Sequence, residues 1–145
     1  MAATDTTKTG GKAVVAAEAW GLIQELSFAN KPQFMAVCRE FDLFPPQTMV
    51  LRALEEPKPM REVARFLACD NSNLTGIIDR LEERDLVRRT PDPKDRRVKL
   101  LVLTDEGRRV RKEIIQRVSV PPPELAALSA SDLRTLREIL ERATS

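Results

Sequence analysis

Ser72, Asn73, Thr75, Gly76 and Arg80 share one side of a segment whose apolar residues, Leu74, Ile77, Ile78 and Leu81, have the spacing of a helix with one buried face. With Asp79, that face presents short hydrogen-bonding groups toward its N-terminal end and a long cation further on. Slim donors and acceptors suit base edges in a DNA major groove, and cations suit phosphates. A solvated face on an ordinary amphipathic helix has the same composition, so the helix alone does not decide. A second group shifts the balance. Arg88, Arg89, Lys94, Arg96, Arg97 and Lys99 crowd against only Asp92 and Asp95. A solvated hairpin needs no such excess, whereas one laid on phosphates or in a minor groove does.

Other chemistries find little to work with. The chain has no histidine and no tyrosine, which removes the usual zinc spacings and every His-dependent triad. It also lacks a glycine-rich phosphate loop. The pairs Glu55-Glu56 and Glu82-Glu83 read as solvated helix ends before they read as acid–base pairs. Neither catalysis nor a cofactor or metal is expected. Cys38 and Cys69 are too few for a disulfide framework and lie far apart. Each reads first as a buried, inert thiol. Cys69, near a helix N-terminus, is the candidate for a redox switch if exposed.

These groups need elements to hold them. Met60, Val63, Ala64 and Leu67 predict a first short helix, and the turn formers between Ala68 and Asn73 separate it from the second. One of those turn residues should cap the second helix. Residues 86–90 and 98–103 are β-prone. The 91–97 segment joining them, with two prolines and two aspartates, is an extended connection. Upstream, residues 1–12 read as a flexible tail. Ala16, Ala19, Trp20, Ile23 and Leu26 form one apolar stripe, and Phe34, Met35, Val37, Cys38 and Phe41 the next. Pro32 predicts either a kinked helix or a break near Asn30.

Pro45-Pro46 opens a helix through Gln47, Met49, Val50, Leu51 and Leu54, which Pro57-Lys58-Pro59 ends. At its start, Gln47 and Thr48 either touch phosphate or cap the helix. Thr104 is the expected N-cap of a helix through Val110, Ile114, Ile115 and Val118, with Asp105 and Glu106 favouring its positive end. Arg108, Arg109, Arg111, Lys112 and Arg117 on its other faces are either solvated or neutralise acids across a dimer. Pro121-Pro122-Pro123 stops that helix as a stiff elbow. Ser129-Ala130-Ser131-Asp132 then resembles a capping box opening a last helix through Leu133, Leu136, Ile139 and Leu140. Beyond such an elbow it cannot easily fold back alone, so it should pack on the N-terminal helix of a second subunit.

The run Asn73-Leu74-Thr75-Gly76-Ile77-Ile78-Asp79-Arg80-Leu81-Glu82-Glu83-Arg84-Asp85-Leu86-Val87-Arg88-Arg89, then Asp92-Pro93-Lys94-Asp95-Arg96-Arg97, then Leu103-Thr104-Asp105-Glu106-Gly107, resembles the MarR family of bacterial winged helix-turn-helix transcription regulators. The order and spacing of the three blocks carry the likeness. It implies a mainly α fold with a small β-wing: a winged helix-turn-helix over about 45–104, dimerisation helices over about 13–42 and 105–145, and a single domain over 13–145. Asn73, Thr75 and Arg80 then fall on the recognition helix and Arg96 and Arg97 at the wing tip. The resemblance also implies a small aromatic or anionic effector bound between dimer helices and winged domain. Phe34, Arg39, Phe41 and Phe44 lie where such a pocket would form, although each also reads as a core residue or surface cation. Asp85 departs from the family, which usually has glycine there; Asp tolerates a left-handed backbone better than most residues.

A chain of 145 residues with formal charge +2 fits one compact domain whose basic character is local. No apolar run approaches the ~18 residues a spanning helix requires. Residues 1–8 carry no signal-peptide core. A cytoplasmic, nucleoid-associated protein with no membrane partner is expected. The reading is a homodimeric, sequence-specific regulator on a pseudo-palindrome of double-stranded DNA, with Ser72, Asn73, Thr75, Gly76, Arg80, Lys94, Arg96 and Arg97 at the interface. A winged-helix protein-interaction module and a non-specific DNA-architectural protein are the alternatives.

Overall fold

The structure is a computed structural model and describes residues 11–145. Of the flexible tail expected over residues 1–12, residues 1–10 lie outside the described residues, and Lys12 is instead the first residue of a helix. Gly11 is already the N-cap of α1 (Lys12–Ala29). The chain divides after Gln33 into two units. In the first, α1 buries none of its residues; Trp20 is 59% and Phe28 69% exposed. The break expected near Asn30 is present, because Asn30 caps α1 and α2 (Lys31–Glu40) starts afresh. Pro32 sits in the first turn of α2, where no N–H is needed.

The second unit holds the core. α3 (Pro45–Ala53) opens on its two prolines. α4 (Met60–Phe66) and α5 (Asn71–Glu83) form the helix-turn-helix, and β2 (Val87–Pro91) and β3 (Lys99–Leu103) the wing. The remaining helices are α6 (Asp105–Val118), α7 (Pro123–Ala126) and α8 (Ala130–Thr144). Val50, Leu51, Val63, Leu74, Ile78, Leu81, Leu101 and Ile114 are each fully buried, so α3, α4, α5, β3 and α6 close on one core.

The two-stranded ribbon read from the sequence is a three-stranded antiparallel sheet in the order β1-β3-β2. The extra strand, β1 (Lys58–Pro59), pairs with Leu101 and Leu100 of β3. Its residues follow Pro57, beyond the Leu54 cap of α3, and a proline is tolerated in it because an edge strand need not donate every ladder bond. On the other side β2 runs in register from Val87 opposite Leu103 to Pro91 opposite Lys99. The sheet thus seats the wing at a fixed height above the start of α4.

Three non-glycine residues take positive φ: Asp42 (51°), Ala68 (51°) and Asp85 (53°). Asp85 is the position where glycine was the expected residue, and its left-handed backbone turns the chain from α5 into β2. Gly107 is buried under that turn. A Cβ there would lie 1.9 Å from the Leu86 carbonyl oxygen, so only glycine lets α6 pack against it.

Candidate nucleic-acid interface

Asp70 is the N-cap of α5. Its Oδ1 accepts the Asn73 backbone N–H at 2.8 Å and the Ser72 hydroxyl at 2.7 Å. These bonds, that from the Asn73 N–H foremost, hold the Asp70 carboxyl below the ordinary aspartate range. The cap orients the first turn. Leu74, Ile78 and Leu81 are buried beneath the helix, while Ser72, Asn73, Thr75, Gly76 and Arg80 are exposed on its far side. Thr75 turns its hydroxyl back onto the Asn71 carbonyl at 2.8 Å, which leaves its methyl and its oxygen lone pairs facing outward. The five expected residues therefore occupy one accessible face.

At the wing tip the two aspartates hold the turn. Asp92 accepts the Lys94 N–H at 2.9 Å, and Asp95 accepts the Arg97 N–H at 3.1 Å and its Nε at 3.2 Å. Asp92 is thereby committed to backbone. Lys94 and Arg96 have no carboxylate partner among the described residues, and the Arg97 side chain remains 93% exposed despite its pair with Asp95. Further down the ribbon the cations are neutralised. Arg88 meets Asp85 at 3.3 Å. Arg89, only 23% exposed, meets Asp79 at 2.7 Å and Glu82 at 2.8 Å, both on α5. Its own N–H donates to Glu82 at 3.1 Å. Arg89 is thus a strut between wing and helix, and on the wing Lys94, Arg96 and Lys99, with Arg80 on α5, have no carboxylate partner among the described residues.

The suggested effector residues are not gathered in one place. Arg39 and Phe44, with Met35, Cys38, Asp42 and Leu43, line a cavity of about 270 Å³. Phe41 lies instead under the Arg117 guanidinium, 5.3 Å from the ring centre, and Phe34 is half-buried outside that lining. Phe44 also borders a second cleft of about 410 Å³, which it shares with Pro45, Pro46, Ile77 and the reading-face residues Asn73, Gly76 and Arg80. Cys38 is 1% exposed; Cys69 is half-buried and packed against the core, not displayed at the turn.

The family model for MarR matches residues 43–99, the stretch from α3 to the start of β3. Over a longer span the chain is similar to the transcriptional regulator Tm0710 of Thermotoga maritima, at 30% identity and a TM-score of 0.68, covering 88% of this chain and 97% of that one. The chain belongs to the MarR family. A second MarR-like structure, CouR of Rhodococcus jostii RHA1 bound to p-coumaroyl-CoA, has 30% identity and a TM-score of 0.68, covering 83% of this chain and 87% of that one. Among curated relatives, the HTH-type transcriptional regulator YsmB of Bacillus subtilis is 36% identical over 64% of this chain and 65% of its own length. The match thus spans just under two thirds of that relative. These MarR relatives are regulators of transcription, not enzymes.

Within this MarR fold Gln47 and Thr48, expected either to touch phosphate or to cap the helix, are both buried. Gln47 is the cap, its Oε1 accepting the Phe44 N–H at 2.8 Å, and Thr48 is fully enclosed, so neither meets a phosphate. Arg84, unremarked in the sequence, closes the C-terminal end of α5. It donates to the carbonyls of Phe41 at 2.9 Å and Asp42 at 2.5 Å, tying the reading helix to the α2–α3 turn. No residue pattern announces such a bond, because its acceptors are backbone. The arginines of α6 are paired within the chain: Arg108 with Asp105, Arg109 with Glu106 and Glu113, Arg111 with Glu55, and Arg117 with Glu40; Lys112 has no carboxylate partner among the described residues.

Proposed function

We propose that this MarR-family chain is a sequence-specific DNA-binding repressor that acts as a homodimer on a pseudo-palindromic operator. The observation that carries this is the distribution of charge. Arginines elsewhere on the ribbon and on α6 are matched by carboxylates, while Arg80, Lys94 and Arg96 have none among the described residues. Cations left without a carboxylate on one face of a helix and on the adjacent wing tip are available to an external polyanion. Ser72, Asn73, Thr75 and Gly76 would meet base edges in the major groove, Arg80 phosphate or base, and Lys94, Arg96 and Arg97 the adjacent minor groove. The partners are duplex DNA and a second copy of the chain, and the site of action is the nucleoid, in the cytoplasm.

Two-fold symmetry sets the spacing: the two α5 helices enter successive major grooves about 34–36 Å apart. The terminal helices α1 and α8 supply the dimer contacts in this reading. The effector is a small aromatic or anionic molecule. CouR binds p-coumaroyl-CoA; here the cavity of about 270 Å³ beside Arg39 and Phe44 suits a compact aromatic acid. Such a ligand would lower DNA affinity only by its preference for the subunit arrangement that cannot span two grooves.

Wing function is tested by the Arg96→Ala, Arg97→Ala double variant, with operator affinity measured across a salt series. Removing two phosphate-proximal cations should flatten the log–log salt dependence by about 1 to 2 units. Unchanged affinity at every salt concentration would rule the wing out as a DNA contact.

A further inference from the structure

The protein's own packing explains Gly107 but not Gly76. Gly76 is internal to α5, its φ is not positive, and a Cβ built on it meets no heavy atom within 4 Å. Glycine is, after proline, the least favourable residue in a helix interior, so the position gives up helix stability with no return inside the molecule. It is exposed on one stripe with Asn73 and Arg80, and lines the cleft together with Phe44, Pro46 and Ile77. The reason for a missing side chain therefore lies outside the protein, in whatever α5 approaches.

We propose that Gly76 is a specificity-determining residue, a slot on the reading helix that receives the C5-methyl of one thymine in each half-site. This rests on the DNA-binding reading above and adds to it which base is read, and how. Phe44, Pro45, Pro46 and Ile77 make the cleft largely apolar, and the thymine methyl is the one apolar group of a base pair that projects into the major groove. Asn73 and Arg80, one turn before and one turn after, flank the slot with the polar groups that hold the helix in register on the neighbouring bases. A side chain at position 76 would hold the helix backbone away from that base.

The test begins with the operator selected by the wild-type protein and compares Gly76→Ala on it. The variant should unfold a few degrees higher, because alanine is the better helix former. Its operator affinity should fall by about tenfold or more, with the salt dependence unchanged because no ionic contact is lost. Thymines of the half-site are then replaced symmetrically, one position at a time, by deoxyuridine, which removes only the methyl. At one position the substitution should return Gly76→Ala to within about threefold of its wild-type affinity while weakening the wild-type protein.

Gly76→Ala binding as tightly as wild type would overturn the slot, as would a loss that no uracil relieves. A lowered unfolding temperature would also overturn it, since glycine would then serve the fold. If the wild-type protein itself selects no sequence, the DNA-binding reading fails and the slot with it. If it does select one and Gly76→Ala reads it equally well, the slot alone fails.

Discussion

At the scale of single residues, the first turn of the reading helix depends on Asp70. Its carboxyl is held below the ordinary aspartate range, chiefly by the Asn73 N–H and then by the Ser72 hydroxyl. A carboxyl depressed in the folded state stabilises above its ordinary unfolded pKa, and that stabilisation is lost as pH falls through the lower folded value. The cap is therefore intact at neutral pH and fails only in acid. Asp70→Ala should lower the unfolding temperature at pH 7, with the difference from wild type shrinking as a thermal melt series is carried into acid below the ordinary aspartate range. Gly107→Ala drives a methyl into the Leu86 carbonyl and should cost about 1–3 kcal/mol in denaturant unfolding. Asp85→Gly relieves a φ of 53° and should raise stability by roughly 0.5–1 kcal/mol. Asp85 was legible in advance because its neighbours match a motif with glycine at that place. Asp42 and Ala68 share its backbone but stand in no such frame. Nothing in an alanine's side chain signals a left-handed turn.

At the scale of elements, helices with a full apolar stripe were readable from periodicity: α5 and α6 begin at the caps Asp70 and Thr104, inside turn and cap signals visible in the chain. β1 and α7 were not, since two residues and four residues are too short to carry a period. The split between charges spent inside the fold and charges left for a partner was equally hidden. Arg89 and Arg96 are the same residue type on one ribbon, and only their three-dimensional neighbours distinguish them. Arg89 joins β2 to α5 through Asp79 and Glu82, so it fixes the angle between wing and reading helix. Arg89→Met should weaken operator binding while leaving the salt dependence as in wild type, because no phosphate contact is removed. The energetic cost of losing Arg96 and Arg97 should also shrink in that background, as a double-mutant cycle would record. A salt slope reduced as much as by a wing variant would instead make Arg89 a phosphate contact.

At the scale of the whole molecule, the winged core closes on itself but the terminal helices do not. Neither α1 nor α8 has a buried residue, and Ile139 and Leu140 on α8 are 46% and 41% exposed. Faces of this kind are what the proposed dimer would cover. The protein should sediment as a dimer, and Leu140→Asp should shift it toward monomer and weaken operator binding by about a hundredfold or more, since each half-site would then be bound singly. No described helix is long and apolar enough to cross a membrane. The winged core and the family likeness were legible because they reside in contiguous motifs. Of the four residues read as an effector pocket, Arg39 and Phe44 line one cavity and Phe34 and Phe41 do not. Which residues converge on a cavity is set by helix rotation, to which four scattered aromatic and basic positions give no guide.

The measurement that bears most directly on this account is selection of bound duplexes from a random pool by the wild-type protein at near-physiological salt. Enrichment of an inverted repeat whose half-sites are centred about one helical turn apart, with a thymine at a fixed place in each, is the expected result. Binding without enrichment, or no binding at all, would contradict a sequence-reading dimer.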